Sequence, residues 1–240
     1  MAKDEPSISA NKLGEYMTAT APRRRRILIQ QKYPSDYITT RYKESQELIQ
    51  QFSTGTGLGT AWLRTKAAEI KARPAFKEYT KRTLALNSDA LIQFADFIDA
   101  LNDKKYKALS FKIGSHRSAH LLIAGTRVSV RPELTAEWEL PKAGGKVVGG
   151  VKLHFPKTNP LSHEAGSYVG ALLTDYAGKH LPGTPDYRAC AVVDVPQKKL
   201  HWAPKLTKQR ADALSAACAE IAGVWPTLPQ PTGYDDGDDE

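Results

Sequence analysis

One apolar helical segment lies between two groups of strand-like segments, and this order restricts the fold more than any other feature of the chain. The segment SHEAGSYVGALLTDYAGKHL begins at Ser162, a helix-capping residue, and its apolar residues recur at helical spacing. KVVGGVKLHF before it and YRACAVVDV after it are rich in β-branched residues, which is typical of strands. A helix that links strands of one sheet requires a crossover, so the sequence predicts a mixed sheet covered by helices.

The chain before Tyr106 has a different character, because its apolar residues recur at helical spacing. Ser9 and Ser88 are placed to cap helices, and Pro22 suits the first turn of another. We therefore predict an α+β fold. A basic N-terminal helical region precedes a mixed β-sheet flanked by helices, in the order β-β-β-α-β-β-α.

Composition divides the chain into four parts. Residues 1–8 and the acidic residues 231–240 have the composition of disordered ends. Residues 9–87 are predicted to form the basic helical region, and residues 88–230 a mixed-sheet α/β domain. The sequence leaves open whether these two parts are separate domains or one packed unit.

Two classes of protein are excluded by composition. No window approaches the roughly 18 consecutive apolar residues of a membrane span, and the N-terminus has no apolar stretch behind a basic start. There are only two cysteines, Cys190 and Cys218, both in apolar surroundings, so neither a disulfide framework nor a cysteine-based zinc site is expected. We expect a soluble cytoplasmic protein with two buried thiols and no membrane partner.

The chain is strongly basic, with 34 Lys and Arg against 26 Asp and Glu, a formal net charge of +8. Five of the acids lie in the last six residues, so the rest of the chain carries +13. A surface this cationic concentrates polyanions, and it gains affinity from the release of counterions when phosphates bind. DNA or RNA is therefore the expected partner.

Four successive arginines begin the most basic segment, since residues 22–82 contain fourteen Lys or Arg and five Asp or Glu. Four successive residues of a helix span about 300° of arc, so only two or three of these arginines can face one groove. Tyr33, Tyr37 and Tyr42 are interleaved with the cations, and they either stack on bases or belong to the core. The residues predicted to contact nucleic acid are Arg23, Arg24, Arg25, Arg26, Lys32, Arg41, Lys43 and Lys157.

Two short motifs in the sheet region hold residues suited to phosphodiester chemistry. RPEL supplies Glu133, with Glu137 as a nearby substitute, and GGVKLHF supplies Lys152. Together with the order of strands and helices, these motifs resemble the PD-(D/E)XK, or restriction-endonuclease-like, superfamily over about residues 88–226. In that family an acid on the second core strand and an acid-x-Lys on the third converge, where they hold a divalent metal and activate water.

The resemblance implies a set of site residues and a cofactor. Glu133 and Lys152 would be catalytic, and an active enzyme would use Mg²⁺. The second acid of the family falls at Gly150, so Glu164, one turn into the following helix, is the candidate replacement as a metal ligand beside Glu133. Without that replacement the domain would keep its fold and its DNA-binding surface but not the reaction.

Three functions stay open. The first is a nucleic-acid-binding protein with a nuclease-like but catalytically degenerate core, acting as a subunit of a bacterial defence or mobile-element nucleoprotein complex. The second is an active metal-dependent nuclease. The third is a protein-interaction scaffold whose basic face binds an acidic partner. The acidic tail suits the third, because at a screening length of about 8 Å it can occupy its own or a neighbour's basic groove.

Overall fold

The computed structural model describes residues 2–34, 41–115, 119–139 and 145–234. In these residues the helices are α1 (Ala10–Thr18), α2 (Ala21–Lys32), α3 (Lys43–Thr54), α4 (Thr60–Lys71), α5 (Glu78–Ala100), α6 (Lys104–Lys107), α7 (His163–His180) and α8 (Lys208–Val224). The strands are β1 (Ser7–Ser9), β2 (Ser110–Ile113), β3 (His120–Ile123), β4 (Thr126–Ser129), β5 (Leu134–Glu139), β6 (Lys146–His154), β7 (Thr184–Pro185), β8 (Ala191–Asp194) and β9 (Lys199–Trp202).

The main sheet has the strand order β2-β5-β6-β8-β9, and the short β7 also pairs with β6. Neighbours β2, β5 and β6 are antiparallel. Helix α7 then carries the chain across, so that β8 lies parallel to β6, and β9 returns antiparallel to β8. The expected crossover is present, and the α+β class with helices flanking a mixed sheet is confirmed.

A second, three-stranded sheet with the order β1-β4-β3 differs from the prediction. Its first strand comes from the N-terminal segment that we expected to be disordered. Ile8 of β1 lies beside Val128 of β4, and both side chains are buried. The Lys3 amide donates to the Lys32 carbonyl at 2.8 Å, and the Trp225 indole donates to the Lys3 carbonyl at 3.0 Å. Burial of Ile8 and these hydrogen bonds order the segment, so the expectation of disorder is not met for residues 2–8.

Helix α5 joins two segments that the sequence predicted as separate helices. Ser88, expected to cap a new helix, lies inside α5, where its hydroxyl donates to the Ala67 carbonyl at 2.9 Å. Asn87 is also buried, and its side-chain oxygen accepts from the Ser45 amide at 2.8 Å. Both side chains satisfy backbone groups of neighbouring helices, so the helix continues through residues that favour a cap in an isolated segment. The boundary expected between residues 87 and 88 thus falls within one helix.

Apolar layers cover both faces of the main sheet. On one face, α3, α4 and α5 pack through side chains such as Ile49, Leu63 and Phe94 against Val193. On the other face, α1, α7, α8 and the small sheet pack around Val192. Successive strand residues point to opposite faces, so both valines are completely buried. The basic helical region therefore shares a core with the main sheet.

The two cysteines, Cys190 and Cys218, are free and buried, as expected. Burial raises the pKa of Cys190 to about 11 and that of Cys218 to about 12, so both thiols are protonated at neutral pH. No helix within the described ranges is both long enough and apolar enough to cross a membrane.

Two helical glycines form a matched pair for testing how α7 packs. A Cβ at Gly170 would lie 2.6 Å from the Cα of Ala203, whereas a Cβ at Gly223 in α8 would meet no atom within 4 Å. We expect Gly170→Ala to lower the free energy of unfolding by about 1–3 kcal/mol through overpacking. Gly223→Ala should raise it by up to about 1 kcal/mol through helix propensity. Urea denaturation of both variants measures the difference, and equal effects would contradict the packing described here.

Candidate nucleic-acid interface

A cleft of about 1300 Å³ lies between the N-terminal segment, the small sheet and the loop that follows β6. Its volume exceeds the roughly 300–1,000 Å³ of typical small-molecule pockets, so it has room for a polymer segment. We call it the cationic cleft, because the described residues that line it include eight Lys or Arg side chains and two acids, a formal net charge of +6. The cations are Lys3, Lys12, Arg23, Arg41, Arg82, Arg127, Arg131 and Lys157, and the acids are Asp4 and Glu5.

The solvent-facing side of the small sheet forms the floor of the cleft. Arg127 and Ser129 of β4 line the cleft and alternate with buried residues of the same strand. The strand register places Ser9 of β1 and His120 of β3 on either side of Ser129, in one row across the sheet. Arg131, two residues beyond Ser129, also lines the cleft. The floor is therefore polar and cationic.

The opposite wall is held together by an aromatic stack and an ion pair. Tyr42, immediately before α3, lines the wall and stacks on Phe155, with ring centroids 4.9 Å apart and planes inclined by 12°. Lys157, in the loop after β6, pairs with Asp89 of α5 at 2.8 Å. These contacts join the loop to α3 and α5, so the wall keeps its position relative to the helices.

Half of the cations in the cleft have no acidic partner among the described residues. The paired cations are Lys12 and Arg23 with Glu15, Arg127 with Glu5, and Lys157 with Asp89. The four without a described carboxylate within 4.0 Å are Lys3, Arg41, Arg82 and Arg131. Uncompensated cations lining one concave surface produce a positive potential that attracts anions.

Three of the eight residues predicted to contact nucleic acid line the cationic cleft: Arg23, Arg41 and Lys157. The Arg24 guanidinium instead donates to the Tyr16 carbonyl at 3.0 Å and lies over the Tyr16 ring. Lys32 donates to the Trp225 carbonyl at 2.9 Å. The remaining three are exposed outside the cleft: Arg25, Arg26 and Lys43. The arginine run does not converge on one groove, because successive helical residues point in different directions.

Five cations of the cleft were not predicted from the sequence, and one of them had a detectable signal. In TRVSVR, polar residues alternate with β-branched ones, so the pattern by itself places Arg127, with Ser129, on the exposed face of a strand. The other four reach the cleft only through folding. The unpredicted cations are Lys3, Lys12, Arg82, Arg127 and Arg131.

Of the tyrosines considered for base stacking, Tyr42 is the one that lines the cleft. Tyr33 packs within the protein, where its hydroxyl donates to the Leu228 carbonyl at 3.3 Å and its ring meets Tyr234 edge to face. Tyr37 lies outside the described residues. Of the two described tyrosines in this group, Tyr42 is therefore the one placed to stack on a base.

Glu133 and Lys152 form a buried ion pair between the start of β5 and β6. Lys152 Nζ lies 2.6 Å from Glu133 Oε1, and the two side chains are 10% and 6% exposed for the lysine and the glutamate. Gln46 of α3 donates to the same oxygen at 3.2 Å, and the Leu153 amide donates to Glu133 Oε2 at 2.6 Å. Both carboxylate oxygens are therefore occupied by donors from the protein itself.

The residues of the predicted metal site do not come together as ligands. Glu133 has no free carboxylate oxygen, Glu164 is exposed in the first turn of α7, and Glu137 pairs with a lysine of β2. A Cβ at Gly150 would lie 3.0 Å from the Cβ of Pro132, so an acid there would face apolar atoms. Throughout the described ranges, no group of three or more His, Cys, Asp or Glu side chains is arranged to hold a metal ion. This arrangement does not fit an Mg²⁺ site.

The buried pair also fixes the backbone of Arg131. This residue has a φ of +40°, in the left-handed region that non-glycine residues rarely adopt. Lys152 Nζ donates to the Arg131 carbonyl at 2.8 Å, and Gln50 donates to the Glu133 carbonyl at 2.7 Å. Backbone strain of this kind costs about 1–3 kcal/mol, persists where the surroundings over-determine it, and clusters at ligand sites.

The sequence matches no protein-family model and no curated protein. The resemblance to the PD-(D/E)XK superfamily therefore stays a prediction, as do the catalytic roles of Glu133, Lys152 and Glu164. What the cleft can bind is therefore inferred from its charges and hydrogen bonds.

Removing the lysine of the buried pair tests its structural role. In Lys152→Met the Glu133 carboxylate stays buried without a countercharge, so we expect the free energy of unfolding to fall by about 3–5 kcal/mol. The matched control is Lys179→Met, which breaks an exposed pair with Asp175 and should cost no more than about 1 kcal/mol. Guanidinium denaturation measures both. A loss in Lys152→Met no larger than that in the control would show that the buried pair does not hold the structure.

Proposed function

We propose that this protein binds nucleic acid in the cationic cleft and does not hydrolyse it. The observation that carries the proposal is the gathering of four cations with no described carboxylate partner in a cleft whose described lining has a net charge of +6. Phosphate contacts by Lys and Arg release counterions, which supplies most of the sequence-independent affinity of such proteins. Ser7, Ser9 and Ser129 add hydroxyl groups of the kind that bind phosphate and sugar oxygens.

The spread of the cationic lining favours a polymer over a small anion. Its cations come from the N-terminal segment, α1, α2, the small sheet and its flank, α5, and the segments before α3 and after β6. A single small anion contacts only two or three of these groups, whereas a nucleic-acid strand carries one charge per nucleotide and can meet them in succession. Tyr42 supplies an aromatic face for stacking beside them.

Binding without hydrolysis follows from the state of the Glu133–Lys152 pair. Metal-assisted hydrolysis needs carboxylate oxygens that are free to coordinate a cation. Here the carboxylate is buried and accepts hydrogen bonds at both oxygens, and the Lys152 ammonium group is held by Glu133 and the Arg131 carbonyl. The Glu133 carboxylate and the Lys152 ammonium group therefore stabilise the structure beside the cleft, and neither faces the cleft with a free coordination position.

Neutralising unpaired cations should weaken binding, whereas neutralising arginines outside the cleft should not. We expect Arg41→Ala/Arg82→Ala to reduce the affinity for an oligonucleotide by roughly 10- to 100-fold at about 0.1 M salt. The slope of log affinity against log salt should fall in magnitude by about two. The matched control, Arg25→Ala/Arg26→Ala, removes the same charge from exposed positions outside the cleft. Fluorescence anisotropy across a salt series measures both quantities.

Two outcomes of that series would overturn the proposed function. Equal losses in the two double variants would mean that net charge, and not the cleft, governs the affinity. A protein that binds polyglutamate as tightly as an oligonucleotide of the same charge would favour an acidic protein partner instead.

The proposal also predicts that bound strands stay intact. Incubation with end-labelled single- or double-stranded DNA or RNA, in Mg²⁺ or Mn²⁺, should leave the label at full length on a denaturing gel. Cleavage that disappears in Glu133→Gln and Lys152→Met, both of which should first be shown to fold, would establish the metal-dependent nuclease in its place.

A further inference from the structure

One end of the cationic cleft gathers four basic side chains around the small sheet. We call them the basic cluster: Lys3, His120, Arg127 and Arg131. His120 and Arg127 come from the neighbouring strands β3 and β4, Lys3 precedes β1, and Arg131 follows β4. All four line the same cleft. The pairing of strands in the small sheet therefore brings together basic side chains that are far apart in the chain.

The basic cluster holds more positive charge than its own acids balance. Arg127 pairs with Glu5 at 2.6 Å, whereas no described carboxylate lies within 4.0 Å of Lys3 or Arg131. Burial lowers the pKa of Lys3, and the charge of Arg131 lowers it further. Burial likewise lowers the pKa of His120, as do Arg127, Arg131 and Lys3 in that order. Like charges are therefore held together at a cost that a bound anion would relieve.

The backbone of Arg131 is held in place, which fixes the point from which its side chain leaves the small sheet. Its backbone is in the left-handed region, and its carbonyl accepts from the buried Lys152 Nζ. Lys152 is in turn fixed by Glu133. The planar guanidinium that it carries can donate two parallel hydrogen bonds to the oxygens of one phosphate, which an ammonium group cannot.

The acids next to the basic cluster indicate that it suits the end of a nucleic-acid strand better than an internal phosphate. Asp4 and Glu5 follow Lys3 directly in the chain, and they are the two acids that line the described part of the cleft. Glu5, His120 and Arg127 also line a second hollow, so they lie where the two depressions meet. A strand that continued past the cluster would bring its next phosphate toward the Asp4 carboxylate, which repels it, whereas Glu5 is already paired with Arg127.

We propose that the basic cluster binds the terminal phosphate monoester of a nucleic-acid strand whose body lies along the rest of the cationic cleft. This inference rests on the proposed function. A phosphate monoester carries about −1.5 to −2 at neutral pH and offers three acceptor oxygens, whereas an internal phosphodiester carries a single charge. The unpaired Lys3 and Arg131 match a dianion in charge, and Ser9 and Ser129 beside them supply hydroxyl donors.

The test compares strands that differ only at their ends. Oligonucleotides of one sequence carrying a 5′-phosphate, a 3′-phosphate or only hydroxyl ends are titrated by fluorescence anisotropy. A hydroxyl-ended strand two nucleotides longer matches the charge of the phosphorylated ones. We expect one of the two phosphorylated oligonucleotides to bind roughly tenfold or more tightly than both hydroxyl-ended ones. Charge-assisted hydrogen bonds to a single phosphate group allow a difference of this size. Inorganic phosphate at millimolar concentration should reduce that preference.

Substitutions test whether the basic cluster is the site that prefers the phosphorylated end. Arg131→Gly, which keeps the left-handed backbone accessible, and separately Lys3→Ala should abolish the advantage of the phosphorylated end. Arg82→Ala, which removes an unpaired cation of the opposite wall, should weaken all strands alike and leave that advantage intact. Circular dichroism of each variant confirms that it is folded.

The outcomes separate this inference from the proposed function. If the phosphorylated strands bind no better than the charge-matched hydroxyl strand, the terminal-phosphate site is wrong while nucleic-acid binding stands. The same conclusion follows if the preference persists in both Arg131→Gly and Lys3→Ala. If no oligonucleotide binds, even when inorganic phosphate does, the proposed function fails together with the inference.

Discussion

The buried ion pair between Glu133 and Lys152 is the contact on which the geometry of the cleft depends. Removing two charges from water costs several kcal/mol for each ion, and the cost is recovered only where the geometry is good and the remaining polar atoms have partners. Here the pair satisfies that condition with donors from α3, the β6 backbone and the Lys152 side chain. It therefore fastens the turn at Arg131 to the centre of the main sheet.

In the proposed function, the buried position of this pair is the reason that a bound strand is not hydrolysed. Of the residues that the sequence suggested for catalysis, Glu133 and Lys152 are buried, and their hydrogen bonds join strands and a helix, whereas Glu164 is exposed on α7. The cations that face solvent lie instead on the small sheet, the N-terminal segment, the helices and the loop after β6. Affinity for phosphates needs only charge and shape, so it does not depend on metal ligands.

Sequence features whose hydrogen-bonding partners lie nearby in the chain predicted the structure correctly. Features whose partners lie far away in the chain did not. Ser162 caps α7 by accepting from the Ala165 amide, and Ser9 caps α1 by accepting from the Lys12 amide. Ser88 has the same capping chemistry, but its hydroxyl donates to a carbonyl of another helix, and the predicted break disappears. The N-terminal strand was missed for the same reason, because its hydrogen-bonding partner, β4, lies more than a hundred residues away.

The sequence by itself determined the α+β class, the crossover and the excess of positive charge, because periodicity and net charge are properties of the chain in any conformation. Only the tertiary structure decided which cations share a cleft. The four arginines that stood out in the sequence point in several directions around α2, whereas Lys3 and Arg131 are inconspicuous in the chain and meet across the small sheet. The distance between two side chains depends on how remote segments pack, and no local pattern of residues encodes it.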